Sequence, residues 1–485
     1  METSTSFGID RYHGTMLKFA LSDHARVDDI RLAEANSMFY VTQRKIPFAP
    51  CVGHERLPIN LIRSRLDIPR LRFLKQDKAD LTIVADYLEK SQNRHFKIRT
   101  VKPATIIFAG EPFADIEGPF GLTQLTEIAF EHAFDDPITV AGTALEMRLA
   151  AGHRHLSDYS LRRDGTIYNA GEVAKYSYIG GFDDTSNMEA AYTLDLNAVG
   201  TMAHYLDQAF AFIYQLMDFQ RQRDANGRKK HFEEVFVEKW LDANPKGTTV
   251  LLDTLRLKMG LVHTIRAAKS MATRKTALKA VRVDSGNLAK NSRWIREMLN
   301  ANGLSEIDII PTGDIDKEKI EEIIVECPSV SGFGVGTKLK AEAKRIAGVI
   351  FKLCSIGGMP TMKLSETLGK ETLPGKMQVW RLVNNDGFFA KDVVSLEDEY
   401  TNPGEITGNH ITGIPLLENF SLTTSPPSVK DQADFVKQQI KKFPDIRNYR
   451  VELSPAIRTL KERLLKELLK DEIGEDGVIM VPYPD

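Results

Sequence analysis

Between about Leu156 and Thr337 one pattern recurs: a short apolar run, a polar or glycine-rich turn, then an amphipathic helical stretch. "TTVLLDT" leads to helical spacing that begins near Leu261, "KAVRVDSGN" to "LAKNSRWIREMLNANG", and "IDIIPTGDID" to "KEKIEEIIVECP". "VSGFGVGT" opens one more step into a further helical stretch. Strands that alternate with helices at this interval predict parallel pairing with helical crossovers. Polar residues gather just after each strand, the position where a β/α barrel builds its site. Asp253, Asp284, Gly313 and Gly336 all fall there. Too many successive turns carry polar residues for the single crevice of an open doubly wound sheet, so a barrel is the expected architecture.

The flanks read differently. "VKPATIIFAGEPFADIEGPF" has the breaks of short strands and turns, and "LTQLTEIAFEHAF" has helical apolar spacing, so residues 1–145 form an α+β N-terminal domain. Residues 146–365 form the barrel. The remainder, 366–485, reads as an irregular, strand-poor segment that packs back on the N-terminal domain; it contains a loop at "TTSPPSVKD" and ends in the amphipathic helix "SPAIRTLKERLLKELLKDEIG". The expected fold is therefore α/β, an irregular β/α barrel between an α+β domain and an irregular tail.

Charge and cysteine usage narrow the function. A net charge of −2 leaves no electrostatic footprint for nucleic acid, and the basic run "IRAAKSMATRKTALKAVR" reads as a solvated helix face. Cys51, Cys327 and Cys354 form neither a CxxC pair nor a disulfide framework, and "METSTSFGID" lacks the basic start and apolar core of a signal peptide. No apolar run approaches the roughly 18 residues of a membrane span. A soluble cytoplasmic protein is expected. "HRH" at His153–His155 lacks the spacing of a zinc site, and HExxH and GxSxG are absent.

Several turns carry chemistry. "SGFGVGT", Ser331 to Thr337, and "PTGDID" around Gly313 leave backbone N–H groups free to close on an anion, although glycine-rich turns of purely structural use look the same. Arg282 and Asp284, two apart at a strand end, share one face: they either serve a ligand's anions and ribose hydroxyls or pair with each other. Arg162 and Arg163 are adjacent, which places one inward and one outward. Gly180 and Gly181 suit a close ligand approach or a tight turn. In "NAVGTMAHYLDQAF" a glycine–threonine turn enters a helix with His204 at the join, as a core residue, a metal ligand or a reactive group.

Taken in order, "DRYHGTM", "LRRDG…YIGGFDDTSN…VGTMAHY", "RVDSGNL", "TGDIDKEKI", "SGFGVGT" and "KLSE…K…LPGK" resemble the nicotinate phosphoribosyltransferase family, with a type II-like phosphoribosyltransferase barrel. The resemblance implies transfer of phosphoribose from 5-phosphoribosyl 1-diphosphate to nicotinate, releasing diphosphate and forming nicotinate mononucleotide. It implies ATP hydrolysis coupled through a phosphohistidine, which falls on His204. It assigns Tyr12 to stacking on the pyridine ring, Arg163 and Arg282 to the carboxylate and phosphates, and Asp284 to the ribose. The backbones at Gly313, Gly336 and Thr337 then cradle the 5-phosphate. Mg²⁺ is carried by the diphosphate, with Asp253 a candidate near it, and a homodimer with shared active sites is implied, Tyr12 coming from the neighbouring subunit. Ser186 stands where nicotinamide-specific relatives carry aspartate, which favours nicotinate over the sister activity. The alternatives are nicotinamide phosphoribosyltransferase, a non-catalytic nicotinate-binding homologue, or a sugar-phosphate barrel enzyme of another type. Asn287 departs from the family's usual "DSGDL" and removes one negative charge.

Overall fold

The computed structural model describes residues 10–58, 74–76, 81–91, 96–163, 167–217, 221–271, 278–341, 343–365, 371–400, 411–421, 423 and 425–468. Parts of "LRRDG", of the basic run after Met271, of "KLSETLGK" and of the tail after Leu468 lie outside them. Two compact units emerge, one of Met1–Ile138, Ile346–Pro427 and Phe435–Asp485, the other of Thr139–Arg345 and Ser428–Asp434.

The second unit contains the strand–helix rhythm. Thr248–Leu251, Leu278–Val283 and Asp308–Pro311 form a three-stranded parallel sheet in that order. Their apolar runs bury Val250, Val281, Val283 and Ile309. Each is followed by a helix: Leu257–Met271, Leu288–Ala301 and Lys317–Glu326. The first begins four residues earlier than the sequence spacing suggested. Asn287 and Asp316 start the other two by accepting from the Lys290 and Lys319 N–H groups at 2.9 Å, which satisfies donors that a helix start leaves free.

A second parallel sheet has the order Gly332–Val335, His155–Asp158, Asp184–Thr185. The expected closed barrel is not formed by these ladders. One backbone bond, from the Ser331 N–H to the Ile309 carbonyl at 3.2 Å, and one from the Ser331 hydroxyl to Asp308 at 2.5 Å link the two sheets' neighbouring edges. At the opposite edge Asp184–Thr185 spans two residues and continues only as a single bridge to Ala198. Strands this short offer too few ladder bonds to complete a ring among the described residues. The step after "SGFGVGT" also departs from expectation. Thr337–Leu339 is a single 3₁₀ turn without a side-chain cap, and no α-helix follows it directly. Lys344 instead ties that segment to Glu318 at 2.7 Å and Asp316 at 3.2 Å.

The first unit is built on antiparallel pairing. Its six-stranded sheet runs Met359–Pro360, Val349–Ile356, Asn36–Gln43, Ala114–Pro119, Lys97–Thr100, Glu418–Asn419. Phe39 stacks on Phe351 across it at 4.5 Å, and Phe113 meets Phe134 edge-on at 5.1 Å in the same core. The stretch after Pro360, expected to be poor in strands, holds a four-stranded sheet: Ile411–Pro415, Met377–Asn384, Phe389–Leu396, Val451–Leu453. A hairpin at Asn384–Gly387 joins its two central strands. Gly387 takes φ +84°, and the Asn384 N–H closes on the Phe388 carbonyl at 2.9 Å. Asp-Gly between two apolar runs is a strong hairpin signal, and it outweighs the polar texture of the segments around it. The terminal helix runs over Pro455–Leu468.

Candidate active site

The parallel strands of the second unit end at a polar cavity of about 570 Å³. Arg282, at the end of Leu278–Val283, reaches across its floor. Its Nη1 donates to Thr201 Oγ1 at 2.6 Å and to the Met202 carbonyl at 3.2 Å, and its Nε donates to Thr312 Oγ1 at 3.1 Å. Asp284, two residues on, lies on the same side of the strand and sits 3.4 Å from Arg282 Nη2. It also accepts from the Thr312 hydroxyl. The pair is thus in contact, yet loosely. Asp284 keeps about a quarter of its side chain exposed to the cavity, and both groups have bonding capacity for a ligand.

The two glycine turns line the same cavity through Gly313 and through Gly334, Gly336 and Thr337. Gly313 adopts φ +91°, and a Cβ there would lie 2.2 Å from the Asp284 carbonyl oxygen. Only glycine lets these two turns come so close. A Cβ on Gly334 would meet the Tyr159 ring at 2.5 Å and Thr312 Cγ2 at 2.7 Å. That glycine makes room for Tyr159, an aromatic wall that the sequence reading did not single out. Its signal was its place, the first residue after the strand His155–Asp158.

Arg162 and Arg163 both line the cavity. The expectation of one inward and one outward side chain assumed strand alternation. Leu161–Arg163 is instead a 3₁₀ turn, closed by the Arg163 N–H on the Ser160 carbonyl at 2.6 Å. With Arg282 they make three guanidiniums against the carboxylates of Asp284 and Asp314, an arrangement suited to a polyanion.

Ser186 also lines the cavity, whereas Asp183 and Asp184 are committed elsewhere. Asp183 holds Arg148 at 2.5 Å and the Leu156 N–H at 2.8 Å, and buried Asp184 bonds His155 Nε2 at 2.6 Å. The carboxyl of Asp158, below Ser186, is raised by burial and accepts from Thr185 Oγ1 and the Ser160 N–H.

His204 is the first residue of the helix His204–Leu216 and faces the cavity. Its Nδ1 lies 3.3 Å from Thr254 Oγ1. No side chain caps this helix start, where the Leu206 N–H closes on the Ala203 carbonyl at 3.0 Å, and its positive dipole end favours an anion beside the imidazole.

Three residues with expected roles stand outside the lining. Asp253 Oδ2 accepts from the Asp284 N–H at 3.0 Å and from Ser285 Oγ at 2.5 Å. It therefore shapes the turn that presents Asp284. Asn287 spends its Oδ1 on the helix cap. Tyr12 belongs to the first unit, where it is partly exposed, bonded to Glu127 at 2.5 Å and stacked on His13.

Comparison with known proteins agrees in fold and in sequence. Residues 154–402 match the model of the nicotinate phosphoribosyltransferase (NAPRTase) family. The nicotinate phosphoribosyltransferase of Caenorhabditis elegans is 27% identical over 374 residues, 69% of this chain and 66% of that protein, just under two thirds of its length. That of Bos taurus is 26% identical over 421 residues, 77% and 78% of the two chains. The crystal structure of human nicotinic acid phosphoribosyltransferase superposes with a TM-score of 0.70 at 22% identity, covering 94% of this chain and 99% of that one, which shows a shared fold. The segment that matches the family model contains every residue lining the cavity, from Tyr159 to Thr337, and on that match the chain belongs to the nicotinate phosphoribosyltransferase family.

Proposed function

We propose that this chain joins nicotinate to 5-phosphoribosyl 1-diphosphate, forming nicotinate mononucleotide and diphosphate, with ATP hydrolysis coupled through phosphorylation of His204. One observation carries the reading: within the family-matched segment, Arg282, Asp284, two glycine turns and a helix-initial histidine converge on one cavity.

The chemistry divides among these groups. The pyridine nitrogen attacks ribose C1 as the C1–oxygen bond to diphosphate breaks, so positive charge builds on the sugar while negative charge leaves. Asp284 accepts from the ribose hydroxyls and steadies the cationic sugar. Arg282 and Arg163 meet the anionic groups, the nicotinate carboxylate among them. The backbones of Gly313, Gly336 and Thr337 hold the 5-phosphate and fix C1 for in-line attack. The cavity carboxylates Asp284 and Asp314 are hard oxygen donors of the kind that suits diphosphate-bound Mg²⁺, which when present offsets leaving-group charge. In a separate step a His204 ring nitrogen, at the head of its helix, attacks the γ-phosphorus of ATP, the bond to the β–γ bridging oxygen breaks, and ADP leaves. Water then releases the phosphoryl group as phosphate.

Ser186 on the cavity wall, with Asp183 and Asp184 tied to other partners, supports nicotinate over nicotinamide, because no carboxylate from "DDTSN" faces the ring. The remaining parts of the reading are Tyr12 stacking on the pyridine from the neighbouring subunit of a homodimer, and a cytoplasmic location. The test is a product assay with 5-phosphoribosyl 1-diphosphate and Mg²⁺, offering nicotinate or nicotinamide, each with and without ATP. Nicotinate mononucleotide, formed faster with ATP and with labelled phosphate on His204, is the expected result. Nicotinamide mononucleotide would transfer the chain to the sister activity. No product from either, with nicotinate still bound, would make it a binding homologue.

A further inference from the structure

Behind the helix that begins at His204, two imidazoles and a carboxylate converge at a place the proposed reaction does not use. His231 stands immediately before the helix Phe232–Ala243, Glu233 lies in that helix's first turn, and His263 comes from the neighbouring helix Leu257–Met271. Glu233 Oε2 is 2.8 Å from His263 Nδ1 and 3.4 Å from His231 Nδ1. The two rings lie face to face, 4.3 Å apart and 14° from parallel. One donor atom from each residue lies within 4.8 Å of the others, and Glu233 and His263 are buried while His231 opens to solvent.

A further acidic group stands beside these donors. Asp207, on the His204 helix, is buried next to Glu233 and His263, and its Oδ1 has no hydrogen-bond partner. A cation among the three donors would offset the buried carboxyl groups.

We propose that His231, Glu233 and His263 bind a divalent transition-metal ion of the zinc class. Two nitrogens and one oxygen form the donor set of an open zinc site. The carboxylate oxygen's distances to the two nitrogens, 2.8 and 3.4 Å, bracket the roughly 3.3 Å edge of a tetrahedron with metal–nitrogen bonds of about 2.0–2.1 Å, and the exposed His231 ring must turn out of its stack on His263 for both nitrogens to aim at one ion. Imidazole donors set this site apart from Mg²⁺, which takes oxygen. The exposure of His231 gives an ion a route in from solvent. Asp207 stands outside the donor set and adds attraction. The ion ties two helices together, and Thr254 links it to the cavity, since its hydroxyl lies 3.3 Å from His204 Nδ1 and bonds Asp207. The inference does not depend on the proposed reaction.

A simpler use of the same residues exists: His231 accepts from the Glu233 N–H at 3.3 Å as a helix cap, and His263–Glu233 is a buried pair. His231→Asn separates the two, because asparagine keeps the cap and removes the ligand. The experiment titrates tag-free, chelator-stripped, full-length protein with Zn²⁺ against a chromophoric competitor, and with Co²⁺ by visible absorption. The expected result is one ion per chain and a four- or five-coordinate nitrogen–oxygen Co²⁺ spectrum. Affinity should fall about tenfold or more in His231→Asn and further in His263→Ala. Circular dichroism of metal-free His231→Asn should match the parent. Absence of stoichiometric binding, or binding unchanged in a folded His231→Asn, overturns the site.

Discussion

Two arginine–aspartate pairs, one in each unit, look alike in sequence terms and are built oppositely. Arg381 and Asp392 are 2% and 0% exposed and meet in two parallel bonds of 3.0 and 2.6 Å. The spare guanidinium donor reaches the Ile106 carbonyl at 2.7 Å, Tyr449 donates to the carboxylate at 2.8 Å, and the rings of Phe389 and Phe443 flank the cation. Burial and the Asp392 charge push the carboxyl of nearby Glu111 well above the usual carboxylate range. The Arg381 guanidinium and the Asp392 carboxylate are thus both spent on protein. Arg282 and Asp284 touch at 3.4 Å, keep 12% and 26% of their side chains exposed, and lean on threonine hydroxyls beside an open cavity. A saturated buried pair serves the fold, whereas a slack, part-exposed pair keeps capacity for a ligand.

Mutation of each pair tests the contrast most directly. Arg381→Ala strands a fully buried carboxylate and should cost about 3–5 kcal/mol in urea denaturation. Arg282→Ala lets Asp284 rehydrate, so its stability loss should stay near 1 kcal/mol or below. Its kcat/KM for nicotinate should drop by about 10²-fold or more. Equal destabilisation by the two would break the comparison. The glycines offer a second pairing. Gly313→Ala meets both φ +91° and the Asp284 carbonyl, so a loss of about 2–3 kcal/mol together with activity is expected. Gly387→Ala, at φ +84° in open space, should cost about 1 kcal/mol and leave turnover intact.

The pH response of Asp207 is smaller. Its carboxyl is raised to about 6 in the folded chain, so ionising it opposes folding. The metal-free protein therefore loses stability as pH climbs from the unfolded value near 4 through about 6. Asp207→Asn should melt higher than the parent at pH 7.5 and level with it at pH 4 in thermal scans with chelator; identical curves at both would discount the burial of that charge. The least effect is expected from Asn287→Asp. Aspartate caps a helix as well as asparagine does, so stability should move by less than about 0.5 kcal/mol. Any change in the Mg²⁺ dependence of turnover would then report the added charge alone.

The strand–helix rhythm, the glycine turns and the histidine at a helix start were legible in the sequence because each is local physics. Periods of two and 3.6, a φ above zero and a cap need only neighbours along the chain. The turn Asn384–Gly387 is equally local, and its Asp-Gly hairpin signal stands amid polar surroundings that read as irregular chain. The parallel ladders' failure to close was not legible, since strand ends and edge bonds are set by which segments meet. Nor was the joint presentation of Arg162 and Arg163, which depends on a 3₁₀ turn, or the bonds by which Asp253 supports the turn that presents Asp284.

By itself the sequence determined the elements, the residue types at each strand end and, through their order, the family. The tertiary structure alone decided that Arg282 would bond Thr201, 81 positions away, and that His263 would meet Glu233, 30 positions away. Such contacts carry no periodic signature, because packing and charge compensation select them only after distant segments have been brought together.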